Sequence, residues 1–127
     1  MDQVTRTGKS LLCVDDDPGI RELLHEIITR LGHRMITAVD GIDALEKLAA
    51  DHFDIVITDI NMPRMDGIEL IKRIKTKFDD VDVIAITAYE MTYKYTDIIA
   101  LGASDFISKP FNVNELEAKL NRILRER

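Results

Sequence analysis

Three continuous apolar runs, Leu11–Val14, Ile55–Ile57 and Val83–Ile86, divide the chain. Each is too short for a helix and does not alternate with polar residues, so each predicts a strand buried on both faces, as in a parallel sheet. Met35, Ile36, Ala38 and Val39 form a weaker run, suited to an edge strand, and Phe106 with Ile107 predicts a short last one. Between the runs the period changes to that of helices. Ile20, Leu23, Leu24, Ile27, Ile28 and Leu31 make one apolar stripe, with Asp17 as N-cap, Pro18 in the first turn and Gly32 just past the end. Asp40 caps a second helix through Leu45 and Leu48. Asp66 with Glu69 resembles a capping box ahead of Ile68, Ile71 and Ile74. Met91, Tyr95, Ile98 and Ile99 mark a fourth helix closed by Gly102, and Asn112 with Glu115 opens a fifth carrying Leu116, Leu120, Ile123 and Leu124.

Strand followed by helix, five times over, predicts an α/β sandwich with right-handed crossovers and helices on both faces of a parallel sheet. Ligands of such sheets bind beyond the carboxyl ends of the strands, where the strand order reverses. Strand one ends in Asp15, Asp16 and Asp17, strand three in Thr58 and Asp59, strand four in Thr87 and Ala88, and strand five in Ser108, Lys109 and Pro110. A parallel sheet gathers all of these at one edge. Two carboxylates about 5 Å apart repel by roughly 3 kcal/mol at an effective dielectric near 20. Asp15, Asp16 and Asp59 against Lys109 leave two negative charges uncompensated, which a divalent cation would cancel. Hard oxygen ligands favour Mg²⁺, which keeps water and engages phosphate oxygens. Carboxylate, Mg²⁺ and Lys together suggest phosphoryl chemistry, in which an Asp can itself be the nucleophile. Asp17 is read as a helix cap, and Asp15 and Asp16 as metal ligands.

The bulk properties narrow the class. The 127 residues suit one domain with a single proper core. The net charge of −6 disfavours direct nucleic-acid binding. No apolar run approaches the roughly 20 residues that span a bilayer, and the N-terminal MDQVTRTGKS does not read as a secretory signal. Cys13 is the only cysteine, so neither a disulfide nor a Cys-based zinc cluster forms within the chain. The expected location is the cytoplasm.

Four segments then carry a family resemblance: VDDDP at 14–18, IVITDINMPRMDGIEL at 55–70, AITA at 85–88 and LGASDFISKPF at 101–111. In order and spacing they resemble the receiver domain of two-component response regulators, across essentially the whole chain. The resemblance implies a flavodoxin-like fold of five parallel strands in the order 2-1-3-4-5. Residues 1–127 would form one receiver domain, with 1–8 flexible. Asp59 matches the phosphoacceptor. Asp15 and Asp16 match the acidic pair that organises Mg²⁺, and Asn61 matches the position that gives the ion a backbone carbonyl. Lys109 matches the lysine that pairs with the acceptor, in a cis peptide with Pro110. Thr87 matches the switch hydroxyl, Ala88 the small residue whose N–H holds the phosphoryl group, and Phe106 the switch aromatic.

The implied activity is Mg²⁺-dependent phosphoryl transfer to Asp59 from a sensor histidine kinase or a histidine phosphotransfer protein, followed by self-hydrolysis. This is a switch rather than a turnover enzyme. Its output would pass through the face of helix four, strand five and helix five to an effector protein or a linked output domain, or into a phosphorylation-dependent dimer. The chain would be either a stand-alone regulator or the receiver of a longer one.

Other readings compete. A phosphorelay intermediate uses the same site. A phosphorylation-independent interaction module would normally have lost a site residue, and none is lost here. A haloacid-dehalogenase-type phosphatase wants an Asp two residues after its nucleophile, where this chain has Asn61. A flavodoxin-like redox carrier wants a Ser/Thr/Gly-rich loop after strand one. HEIITR at 25–30 resembles the phosphohistidine box of sensor kinases, but His25 lies off the apolar stripe and reads as solvent-exposed. His33 and His52 give no metal-ligand pattern. Cys13 reads as a small core residue, and Met62 and Met65 as loop packing. Tyr95 is expected to be partly core, with Tyr93 and Lys94 facing outward. A Tyr89 ring near the acceptor would hinder attacking water; an unchanged acyl-phosphate lifetime in Tyr89→Ala would refute that.

Overall fold

In a computed structural model, which describes residues 8–62, 65–87 and 95–125, five strands hydrogen-bond in the order β2-β1-β3-β4-β5, every pair parallel. They are β1 (Ser10–Val14), β2 (Arg34–Ala38), β3 (Ile55–Asp59), β4 (Asp82–Thr87) and β5 (Asp105–Ser108). The helices are α1 (Pro18–Arg30), α2 (Gly41–Ala50), α3 (Gly67–Lys77), α4 (Tyr95–Ala100) and α5 (Val113–Arg125).

The continuous apolar runs are explained by two cores, one on each face of the sheet. Leu11, Cys13, Ile55, Ile57, Ile84, Ile86 and Ile107 pack against Leu24, Ile27 and Ile28 of α1 and Leu116, Leu120 and Ile123 of α5. Leu12, Val14, Val56, Val83 and Ala85 point the other way, onto Ala44 and Leu48 of α2, Leu70, Ile71 and Ile74 of α3, and Ile98 of α4. Successive strand residues therefore serve opposite cores. Each large side chain so buried is worth about 1.5–3 kcal/mol.

Helix ends follow the sequence signals. Asp17 accepts from Gly19 N at 2.8 Å, Asp40 from Asp43 N at 2.8 Å and Asn112 from Glu115 N at 2.7 Å. Gly32 and Gly102 take positive φ of 92° and 112° after α1 and α4, a region open to glycine without steric cost. The predicted capping box is only half formed. Asp66 accepts from Glu69 N at 2.9 Å, but the Glu69 carboxylate turns to Arg73 instead, 2.9 Å away.

Among the described residues, several apolar side chains of the predicted patterns lie further out than expected, Ile99 of α4 among them. Val39 is 47% exposed, because β2 ends at Ala38 and the chain turns there into the α2 cap. Leu23 is exposed at the rim of the α1 stripe, whose centre is Leu24, Ile27 and Ile28. Tyr95 is 44% exposed, stacked on Phe106 rather than sunk in the core. Met91, Tyr93 and Lys94 lie outside the described residues.

Candidate functional site

The strand order reverses beside β1: β2 lies on one side of it and β3 on the other. The crevice at their carboxyl ends receives Asp15, directly after β1, and Asp59, the last residue of β3. Asp15 is fully buried and Asp59 nearly so, while Asp16 is exposed at the mouth. One carboxylate oxygen from each of the three lies within 4.8 Å of the others.

Backbone amides and one ammonium hold these groups. Asp59 Oδ1 accepts from Asn61 N at 3.0 Å, and Oδ2 from Lys109 Nζ at 3.2 Å. Asp15 Oδ1 accepts from Asp17 N at 2.9 Å. Among the described residues, Asp15 Oδ2 has no well-aligned hydrogen bond and is met only by Lys109 Nζ, at an ion-pair distance of 3.4 Å. Lys109 stands at the end of the β4–β5 ladder, where its backbone N–H bonds Thr87 O at 2.8 Å, and its peptide bond to Pro110 is cis.

The charges do not balance. Among the described residues, three carboxylates face one ammonium, which leaves −2 at the mouth. Burial raises the Asp15 carboxyl above its ordinary range, and the charge of Asp59 adds to the rise, against the lowering by Asp17 N–H and Lys109. Burial alone would lower Lys109, but the charges of Asp59 and Asp15 outweigh it and hold the ammonium above its ordinary value. The rise at Lys109 reflects the negative charge gathered around it. A buried carboxylate oxygen without a well-aligned hydrogen bond, facing two further acids, is what a divalent cation with hard oxygen ligands requires. The residues present fit such an ion.

Thr87, at the end of β4, is fully buried. Its Oγ1 lies 3.4 Å from Ile107 O and 3.3 Å from Ser108 Oγ. Phe106, half-buried on β5, stacks on Tyr95 with ring centroids 4.1 Å apart. The structure thus brings Asp15, Asp16, Asp59 and Lys109 together, with Thr87 on the neighbouring strand. Asn61 contributes its N–H to Asp59. Ala88 and Tyr89 lie outside the described residues. Asp17 is the helix cap that its position suggests.

Sequence reasoning missed Arg21. Its guanidinium donates to Asp15 O at 2.7 Å and fixes the β1–α1 turn. The available signal was a cation in the first turn of a helix, where the helix dipole disfavours it. His25 is exposed, as expected. His52 is less isolated than it looked, with Nε2 3.4 Å from Asp54 Oδ1. Among the described residues, the acidic trio is the only His/Cys/Asp/Glu group close enough to hold a metal, and no helix is long and apolar enough to cross a membrane.

Known proteins share this arrangement. A family model described as the response regulator receiver domain matches residues 11–121. Response regulator MprA of Mycobacterium ulcerans (strain Agy99) is 35% identical over 115 residues, covering 91% of this chain and 50% of that protein. The chain therefore spans about half the length of the curated relatives it matches. Among solved structures, chemotaxis response regulator CheY4 of Vibrio cholerae is 32% identical with a TM-score of 0.84, over 92% of this chain and 99% of that one. Response regulator TrrA of Thermotoga maritima, solved in complex with Mg²⁺ and BeF, is 37% identical with a TM-score of 0.82, over 91% and 98% of the two chains. The five-stranded 2-1-3-4-5 sheet, the acidic crevice at its switch point and these matches place the chain in the receiver-domain family of two-component response regulators.

Proposed function

We propose that the chain is a phosphorylation switch whose acceptor is Asp59. The observation that carries this is the pairing of Lys109 with both Asp59 Oδ2, at 3.2 Å, and the buried Asp15, at 3.4 Å, in a crevice where Asp16 brings a third carboxylate within 4.8 Å. The donor is a phosphohistidine of a sensor histidine kinase or a phosphotransfer protein. An Asp59 carboxylate oxygen attacks phosphorus, the P–N bond breaks, and the imidazole leaves with a proton. Asp15, Asp16, Asp59 and the Asn61 carbonyl would hold Mg²⁺, which would supply neutralisation of charge on the transferring phosphoryl oxygens. Lys109 exchanges its carboxylate partner for a phosphoryl oxygen, while Thr87 and the Ala88 N–H take others. Water later attacks phosphorus, splitting the acyl phosphate into inorganic phosphate and the Asp59 carboxylate.

Bonds made only to the phosphoryl group shift the population toward a state with Thr87 drawn in and Phe106 packed inward. That remodels the face of α4, β5 and α5, read by an effector, a linked output domain or a second copy. The domain modifies and resets itself; it does not turn over a separate substrate. A phosphorelay intermediate shares this chemistry. An interaction module independent of phosphorylation is disfavoured because every matched site residue is present.

Intact mass after incubation with Mg²⁺ and acetyl phosphate tests the reading. The expected result is a single gain of about 80 Da, absent with EDTA and absent in Asp59→Asn. A gain that persists in Asp59→Asn would refute Asp59 as acceptor.

A further inference from the structure

The Thr87 hydroxyl does not end the polar network of β4 and β5. Thr87 and Ser108 are register partners in the parallel ladder, so their side chains share a face. Thr87 Oγ1 lies 3.3 Å from Ser108 Oγ, and Ser108 Oγ lies 2.9 Å from the Tyr95 hydroxyl on α4. A line of three hydroxyls thus runs from a fully buried residue at the site to a half-exposed ring on the surface. That ring is the one stacked on Phe106, at 19° between planes. Phe106 itself has no hydroxyl with which to report its position.

The protons can be counted. Each hydroxyl has one to donate, and the Ile107 carbonyl, 3.4 Å from Thr87 Oγ1, can only accept. Thr87 Oγ1 directs its proton to Ser108 Oγ or to Ile107 O, and either Ser108 or Tyr95 donates in the bond between them. Hydrogen bonds in such a chain reinforce one another. The two at Thr87 are long and hence weak, whereas the Tyr95–Ser108 bond is of ordinary length. Thr87 is therefore held where a stronger acceptor, such as a phosphoryl oxygen, can pull it away. Its single proton cannot serve both.

We propose that Ser108 and Tyr95 are positioning residues for Thr87. They hold its hydroxyl in the resting orientation, and its release frees the Tyr95–Phe106 stack on the α4–β5 surface. The inference rests on the reading of Asp59 as acceptor. In this protein, the hydroxyl that links the site to the output face belongs to Tyr95 on α4, not to the aromatic on β5.

Equilibrium binding of beryllofluoride with Mg²⁺, a stable mimic of the phosphorylated state, tests this. Ser108→Ala removes the resting partner of Thr87 and should tighten binding about two- to tenfold, the range given by the net worth of one hydrogen bond. Tyr95→Phe keeps the ring and loses only the hydroxyl; it should act in the same direction with a smaller effect. Ser108→Thr, which restores a hydroxyl, should return affinity toward wild type. Both effects should vanish in a Thr87→Val background, which a general loosening of β5 would not produce. Unchanged or weakened binding in Ser108→Ala, or an effect that survives Thr87→Val, overturns the inference and leaves the Asp59 reading intact. A wild-type chain that binds no beryllofluoride overturns both.

Discussion

Asp15→Asn removes a charge while keeping a shape, and its effect should change sign with Mg²⁺. Asp15 is fully buried, and its Oδ1 accepts from Asp17 N at 2.9 Å, a bond an amide oxygen can also accept. The substitution forfeits attraction to Lys109 at 3.4 Å, about 5 kcal/mol at an effective dielectric near 20. It also removes repulsion from Asp59, at least about 3.5 kcal/mol in the same dielectric because their oxygens lie within 4.8 Å, and a smaller, solvent-screened repulsion from the exposed Asp16. The repulsion removed offsets the attraction lost, so the desolvation of a buried carboxylate, several kcal/mol per ion, decides the sign. Subtracting about 1 kcal/mol for the weakened bond from Asp17 N leaves the metal-free variant more stable than wild type by about 1–2 kcal/mol. With Mg²⁺ the order reverses. Wild type gains about 2.7 kcal/mol at a free ion concentration one hundred times its Kd, and a variant lacking one ligand gains much less. Urea unfolding near neutral pH, in EDTA and in saturating Mg²⁺, measures both. A variant less stable than wild type in EDTA would refute the claim that burial and mutual repulsion dominate this crevice.

Four further outcomes follow from the same geometry. The folded-state pKa of Asp15 is raised, so its charge costs stability at neutral pH and none once it is protonated; in EDTA, wild type should gain stability as pH falls from neutral toward the ordinary carboxylate range, and Asp15→Asn should lack that component. Asp105 has the opposite sign: the Phe106 N–H, Arg122 and Lys119 bring it below its ordinary value against the rise from burial, so Asp105→Asn should cost about 1–2 kcal/mol at neutral pH, a difference that disappears in urea titrations as pH falls through the depressed value. A Cβ at Gly67 would lie 2.3 Å from Asp59 O and 2.5 Å from Ile60 Cα, both backbone; Gly67→Ala should cost about 3 kcal/mol by thermal unfolding and impair phosphorylation of Asp59 through the displaced end of β3. Burial pushes the Cys13 thiol far above its ordinary pKa, and the charge of Asp15 adds to this; alkylation should proceed only as fast as the fold opens, slowing in parallel with added stabilisation.

The fold was legible because unbroken apolar runs such as Ile55–Ile57 have one economical explanation, a strand covered on both faces, and because Asp17, Asp40 and Asn112 stand where caps are needed. The site was legible because a parallel sheet delivers every strand end to one edge, so Asp15, Asp59 and Lys109 converge without any contact being known in advance. Local patterns fail where an outcome depends on how far a neighbouring element extends. Leu23 and Val39 fit their apolar patterns and are still exposed, because no described element covers the rim of α1 or the turn after the edge strand. The Thr87–Ser108–Tyr95 line depends on the β4–β5 register and on the placement of α4, and sequence spacing encodes neither. Arg21 is a long side chain reaching back across a turn to a carbonyl; its place at the helix start hints at such a role, but not at which carbonyl it meets.

The central claim is that Asp59, rather than either neighbouring acid, accepts the phosphoryl group. Borohydride reduces an acyl phosphate to an alcohol, leaving homoserine where the phosphorylated aspartate stood. Peptide mapping of protein treated with acetyl phosphate and Mg²⁺, then borohydride, reads the acceptor directly. Homoserine is expected at position 59 alone, and lost when Mg²⁺ is withheld. Homoserine at position 15 or 16, or an unchanged Asp59 peptide in protein that has gained phosphoryl mass, would contradict it.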